Sequence, residues 1–235
     1  MAAGDTNVGT TPLSLSSSSA REPALLASRS HMLARYLPPT PTLRSAPPHG
    51  EQWLHEVKFD GWRIQLHKHG RSTVAFTKNG HDHSSRVRWI VDALASLPRV
   101  RSLVIDGELV ACDAAGLPNF YALHFHRHKH GLCVWAFDLL HHNGRDLREL
   151  PLCERKARLE KLILAANANW LHYSESFDDG LELLKAADRM RLEGVVSKRR
   201  DTPYRSGRQC GWVKIKCETW RVANKERWRL FERRR

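Results

Sequence analysis

The segment Glu56-Val57-Lys58-Phe59-Asp60-Gly61-Trp62-Arg63 sets a lysine between two acids just ahead of a glycine turn. In a strand, alternate side chains share a face, so Glu56, Lys58 and Asp60 point one way while Val57 and Phe59 enter a core. Two readings fit: a charged strand face running into a turn, or an amine held among carboxylates for chemistry. Four further segments bear on the choice. Ile105-Asp106-Gly107-Glu108-Leu109 puts acid into an otherwise apolar strand, and Trp135-Ala136-Phe137-Asp138-Leu139-Leu140 sets an acid after an aromatic. Glu193-Gly194-Val195-Val196-Ser197-Lys198 opens on an acid and closes on a lysine, and Trp212-Val213-Lys214-Ile215-Lys216 alternates lysine with apolar residues. On a half-buried strand Lys214 and Lys216 share one face, where two ammonium groups repel each other unless an anion lies between them.

Taken in order, these segments resemble the signature elements of the covalent nucleotidyltransferase superfamily: DNA ligases, RNA ligases and mRNA capping enzymes. The K-x-D-G-x-R element falls on Lys58, Asp60, Gly61 and Arg63, and the others match the D-G-E, F-D-hydrophobic, E-G-h-h-x-K and W-h-K-h-K elements. The resemblance runs from about Leu33 to Phe231. Ser197-Lys198-Arg199, Tyr204 and Gly207-Arg208, followed by the Trp212 to Lys216 stretch, look most like ligase D, the bacterial end-joining ligases.

The resemblance implies that Lys58 attacks the α-phosphate of ATP, forms a lysyl-AMP phosphoramidate, passes AMP to the 5′-phosphate of nicked or broken DNA, and so licenses sealing by the 3′-hydroxyl. A lysine amine attacks only when unprotonated, and its free pKa is about 10.4. Nearby cations or a metal lower that value. Lys214, Lys216 and Mg²⁺, or Mn²⁺ in its place, would supply this field and neutralise charge on the α-phosphate. By the same resemblance Glu108 holds a ribose hydroxyl, Phe137 stacks on adenine, and Glu56 lies near the adenine edge. Lys198 joins the nucleotide site, Glu193 binds the metal, and Arg63 contacts the ribose or the DNA 5′-phosphate. Phe137 also reads as a plain core aromatic. Lys78, in Thr77-Lys78-Asn79-Gly80, stands where ligases usually carry arginine, and would meet the 5′-phosphate without the bidentate fork.

These residues need strands to hold them. Short stretches rich in Val, Ile and aromatics predict strands over 52–59, 62–67, 73–77, 103–111, 132–140, 194–198 and 212–216. Apolar spacing predicts helices over 86–97, with Ile90, Ala93, Leu94 and Leu97 on one face, and over 152–166 and 181–191. Strands clustered early, with helices interspersed irregularly, give an α+β class with antiparallel sheets flanked by helices. The resemblance implies the ATP-grasp-like catalytic fold of DNA ligases. There is no G-x-G-x-x-G and no P-loop, so a nucleotide site here is built another way.

Residues 1–30, rich in Ser, Thr, Ala and Gly, read as a flexible leader, and prolines 38, 39, 41, 47 and 48 punctuate an extended stretch before the globular part, with the adenylation domain over 31–235. The family's usual following OB-fold has no counterpart before Arg235, so a Ku-like end-binding protein or a separate OB-fold polypeptide is an expected partner. Net charge is +13, concentrated from Lys198 to Arg235, where fourteen basic residues face four acids. Such a segment suits a polyanion, DNA in this reading. No apolar run approaches the roughly 18 residues of a membrane span, and no signal peptide is visible, which makes the bacterial cytosol or nucleoid the default compartment. The five cysteines form no C-x-x-C pair and read as free thiols. His124, His126, His128 and His130 would share a face if extended, as an adventitious Zn²⁺ or Ni²⁺ site. A basic surface loop near DNA suits them better, since no Cys or acid adjoins them, and His81 and His83 read alike. An RNA ligase or a GTP-using capping enzyme shares the lysine chemistry, and a non-catalytic DNA-end-binding remnant shares the charge. The missing four-cysteine zinc site sets NAD⁺-dependent ligases aside.

Overall fold

Two sheets divide the work of this chain. The structure is a computed structural model that describes residues 1, 36–111, 131–208 and 210–232. The expected leader (after Met1) and the histidine run at 124–130 lie outside the described residues. The described elements belong to one compact unit, Met32–Arg235.

The first sheet has four strands in the order β1 (Thr42–Leu43), β10 (Trp212–Lys216), β9 (Gly194–Arg199) and β2 (Trp53–Lys58). The second follows the order β4 (Ser72–Thr77), β3 (Trp62–His69), β5 (Ser102–Ala111), β6 (Leu132–His142) and β7 (Arg145–Asp146), and β8 (Leu171–Tyr173) pairs with β6. The central pairings are antiparallel, while short edge strands β1 and β8 pair in parallel. The α+β class therefore holds.

The second sheet buries its apolar face under two helices, α1 (Arg88–Ala95) and α2 (Leu152–Ala166). Ile64, Leu66, Ile105 and Leu109 from the strands meet Ile90 and Leu94 of α1 and Leu159 of α2, all essentially without solvent exposure. Removing one such leucine side chain would cost about 2–5 kcal/mol through lost transfer energy and a residual cavity. Helix α2 starts straight after Pro151 and stops at Asn167, whose left-handed backbone caps it. The first sheet rests on α3 (Gly180–Arg189), which begins where the Asp179 carboxylate accepts from the backbone N–H groups of Leu181 and Glu182.

The expected strands and helices are present within a few residues of their predicted ends. The two-residue strands β1 and β7 and the three-residue β8 are too short to leave a periodic signal. Helix α4 (Glu218–Glu232) is a larger difference, since charge alone had been read over that stretch. Cys133, Cys153, Cys210 and Cys217 are free thiols. Among the described residues no helix is long and apolar enough to cross a membrane.

Candidate active site

The register of the four-stranded sheet determines which side chains meet. Gly194 lies opposite Lys58 on β2 and opposite Lys216 on β10; one step along, Val196 lies between Glu56 and Lys214; one further, Lys198 lies beside Trp212. Directly paired residues project from the same face. That face therefore carries Lys58, Glu56, Lys198, Lys214 and Lys216 together, while the opposite face, with Val57 and Val195, turns toward α3. The row centred on Gly194 has no middle side chain, which leaves room for two lysines to converge. Gly194 itself has φ +153°, and a Cβ there would overlap the Ile215 carbonyl oxygen.

The two lysines converge on Glu193. Lys58 Nζ is 2.5 Å from Glu193 Oε2, and Lys216 Nζ is 3.2 Å from Oε1. The Glu193 side chain is 7 % exposed and that of Lys58 22 %, so the lysine is the more open of the two. Lys214 adds a further positive charge. Its pKa is lowered, first by burial and then by Lys58 and Lys216, which is the mutual repulsion expected of lysines sharing a face.

Glu56 sits deeper. Its carboxylate lies 2.9 Å from Lys156 Nζ and 2.8 Å from Lys198 Nζ, and the Ser174 hydroxyl donates to it at 3.0 Å. Burial pushes this carboxyl up, but the two lysines outweigh burial and hold it below its ordinary pKa. Burial draws Lys198 down to about 8, against the pull of Glu56. Its ammonium lies 4.5 Å from the Phe137 ring centre and 4.3 Å from that of Trp212, a cation–π cage that partly replaces water.

The six-stranded sheet contributes the other wall. Phe137 is the extra residue of a β-bulge: Asp106 pairs with Asp138 and Gly107 with Ala136, which leaves Phe137 unpaired. Bulges re-aim a side chain out of the regular alternation, and this one turns Phe137 into the cleft. Arg63 and Glu108 are cross-strand partners. The Arg63 guanidinium binds Asp106 through two nitrogens, at 3.1 and 2.6 Å, and the Pro39 carbonyl at 2.6 Å. Burial works against its charge, but Asp106 outweighs burial and raises its pKa. Tyr204 also donates to Asp106, at 2.7 Å. Glu108 has no hydrogen-bond or ion-pair partner among the described residues, and burial lifts its carboxyl to about 7 against the pull of Lys58 and Arg63. The Asp60–Gly61 turn packs so closely on this strand that a Cβ at Gly61 would overlap the Leu109 carbonyl oxygen.

Between the sheets lies a cavity of about 580 Å³, within the range of small-molecule sites. Eight of the ten predicted site residues line it: Glu56, Lys58, Arg63, Lys78, Glu108, Phe137, Lys198 and Lys214. Glu193 joins through its contact with Lys58, and Lys216 through its contact with Glu193. Lys78 is exposed at the rim, beside Asn79, His81, His83 and Arg86. His81 and His83 lie in the loop after β4, as expected, and line the cleft from there; His83 meets Trp62 edge-on at 5.4 Å.

Sequence reading missed the layer beneath the site. Arg155 clamps Asp138 at 2.7 and 2.9 Å, and both side chains are wholly buried. Lys156 next to it holds Glu56. The signal was available: in α2, positions 155 and 156 fall three and four residues after buried Leu152 and four and three before buried Leu159, so both cations ride the apolar face. Trp220 on α4 was missed too. Its indole N–H donates to Asp60 at 3.1 Å and its ring lies 4.0 Å from Lys216 Nζ.

A lysine amine, a carboxylate bridging it to a second lysine, and an aromatic and an acid on the opposite wall thus meet around one cleft of nucleotide size. The family model for the ATP dependent DNA ligase domain matches residues 31–216, and the chain belongs to that family. It is 39% identical over 185 residues to the multifunctional non-homologous end joining protein LigD of Pseudomonas aeruginosa, an alignment covering 77% of this chain and 22% of that protein. A probable DNA ligase of Beutenbergia cavernae is 39% identical over 173 residues, covering 68% of this chain and 33% of the relative. Among solved structures, a mycobacterial DNA ligase D complexed with ATP and MES superposes with a TM-score of 0.68 at 29% identity, covering 76% of this chain and 59% of that one. The chain thus spans about a fifth to a third of the length of the curated relatives it matches.

Proposed function

We propose that this chain is the adenylating domain of an ATP-dependent DNA ligase, with Lys58 as the residue that carries AMP. The observation that carries this reading is the convergence of Lys58 and Lys216 on one carboxylate, Glu193, at the edge of a cleft whose far wall presents Glu108, Phe137 and Arg63.

The chemistry follows from that arrangement. The Lys58 ammonium must lose a proton before it attacks, and Glu193 Oε2 at 2.5 Å is an acceptor already in contact. The amine nitrogen then bonds to the α-phosphorus of ATP as the bond to the bridging oxygen breaks; the second proton leaves with pyrophosphate. Lys214 and Lys216 hold the charge that gathers on the α-phosphate oxygens. Glu108, with no hydrogen-bond or ion-pair partner among the described residues, accepts a hydrogen bond from a ribose hydroxyl. Phe137 stacks on adenine, with Glu56 and Lys198 at the base's polar edge. A 5′-phosphate oxygen of nicked or broken DNA next displaces Lys58 from AMP, with Arg63 and Lys78 toward the DNA, and the 3′-hydroxyl finally displaces AMP to seal the strand.

The donor set suits magnesium, with manganese as a substitute. Glu193 offers a hard carboxylate, and Mg²⁺ usually takes one or two carboxylates plus substrate phosphate oxygens. Among the described residues no trio of His, Cys, Asp or Glu could hold a metal alone, so ATP phosphates would complete the shell. Bound there, the ion would withdraw charge from the phosphates.

The similarity to an end-joining ligase supports a role in bacterial DNA break repair, in the cytosol or nucleoid. A Ku-like end-binding protein and a separate OB-fold polypeptide are the partners in this reading, and adding each to a nick-sealing assay tests them. The deciding experiment for the domain is intact-mass analysis after incubation with ATP or GTP and Mg²⁺. The chain should gain the mass of AMP from ATP and nothing from GTP, and Lys58→Ala should gain nothing. GTP-specific labelling would favour a capping-type enzyme, transfer of AMP to RNA ends alone would favour an RNA ligase, and absence of labelling would leave an end-binding remnant.

A further inference from the structure

We infer that Trp220 is a positioning residue of the adenylation site, which extends that site into the first turn of α4, beyond the segment 31–216 that matches the family model. The inference rests on the reading of Lys58 as nucleophile. Lys216 is a long, flexible side chain, 29 % exposed, and its ammonium has many places to go. Two contacts decide where it goes: Glu193 Oε1 at 3.2 Å and the face of Trp220 at 4.0 Å. The same indole donates its N–H to Asp60 Oδ2 at 3.1 Å. Trp220 therefore bridges the turn that follows Lys58 and the lysine that shares Glu193 with it.

The bridge is anchored at its own end. The Cys217 backbone N–H donates to the Glu193 carbonyl at 3.0 Å, which extends the β9–β10 ladder to the acid itself. Thr219 then binds Asp188 near the end of α3, through its hydroxyl at 2.6 Å and its backbone N–H at 3.2 Å. These bonds aim the first turn of α4 so that residue 220 faces the site. A half-buried tryptophan with its N–H on a carboxylate and a cation on its face is fixed at both polar and π ends. With the indole gone, Lys216 keeps its charge and its carboxylate but loses the surface that holds it in register. Turnover should fall while nucleotide affinity stays.

The test uses the full chain and single-turnover adenylation of Lys58 by labelled ATP at saturating Mg²⁺. W220L keeps apolar bulk without a π face or an N–H, and W220F keeps the π face alone. The expected result is a fall of about tenfold in the maximal rate for W220L, a half-saturating ATP concentration within about threefold of wild type, and partial recovery in W220F. Adding W220L to K216M should lower the rate little further than K216M alone, because Trp220 acts through Lys216. A W220L chain that adenylates at the wild-type rate overturns the inference. So does a loss confined to thermal stability or active fraction, or a loss that multiplies independently with that of K216M. A wild-type chain that takes up no AMP overturns the functional reading and this inference with it, whereas wild-type labelling with an unchanged W220L rate overturns this inference alone.

Discussion

Asp106 and Asp138 stand directly opposite each other in the β5–β6 ladder, both wholly buried, and each is clamped by its own arginine. Two buried carboxylates side by side repel, so neither arginine is dispensable. Arg63 neutralises Asp106 from the cleft side, and Arg155 neutralises Asp138 from α2 while also donating to the carbonyls of Leu150 and Thr202. Tyr204, whose hydroxyl is raised in pKa by burial and by Asp106, completes the lattice.

Asp138→Ala should therefore destabilise the fold by about 3–5 kcal/mol, because it leaves the Arg155 charge buried without a partner. Replacing both residues, as in D138A with R155M, should recover much of that loss. Urea unfolding of the three variants measures it; a single and a double variant of equal stability would show that the ion pair is not what matters.

Glu108 gives a pH signature. Its carboxyl is lifted to about 7 by burial, so between roughly pH 4.5 and 7 the folded chain holds a proton that the unfolded chain releases. Its contribution to stability is therefore full below the unfolded value and lost as pH rises through 7. Glu108→Gln has no such titration. The stability of wild type relative to Glu108→Gln should decline across that window, read from unfolding midpoints at several pH values. A constant difference would mean that Glu108 ionises normally.

Glu193→Ala should lose adenylation, and raising Mg²⁺ or Mn²⁺ should restore part of it if metal binding is one of its tasks. Labelling by ATP across a metal series reads the result. Full activity at low Mg²⁺ would remove Glu193 from the chemistry, and loss without any rescue would assign it to Lys58 and Lys216 alone.

DNA binding should be sequence-blind and steeply salt-dependent, since fourteen basic residues face four acids from Lys198 to Arg235. With about six phosphate contacts, affinity should fall roughly a thousandfold between 50 and 200 mM salt. A titration with fluorescent nicked duplex measures the slope, and a shallow one would place recognition elsewhere.

The residues that touch the cleft were legible in the sequence because their chemistry is at odds with their surroundings: lysine in Trp212 to Lys216, acid in Ile105 to Leu109. The residues behind them were not singled out, because Arg155 and Lys156 look like the polar side of a helix until the buried leucines beside them are aligned by helical spacing. The Phe137 bulge is invisible to any pattern of alternation, since it depends on how β5 and β6 register across the ladder. Trp220 carried no signal at all. Its partners, Asp60 and Lys216, are joined to it only by folding.

The two walls of the cleft differ in how they are built, and that difference sorts the effects of mutation. Lys58, Glu193, Lys214 and Lys216 ride neighbouring rungs of one hydrogen-bonded ladder, so their mutual spacing is as stiff as the sheet. Arg63, Glu108 and Phe137 ride the other sheet. A change in the spacing of the two plates would alter the gap that grips sugar and base while the charged cluster kept its dimensions. Lesions that respace the plates should thus appear first as weaker nucleotide retention, and lesions within the ladder first as slower bond-making, which makes the ratio of the two defects a gauge of where a change has acted.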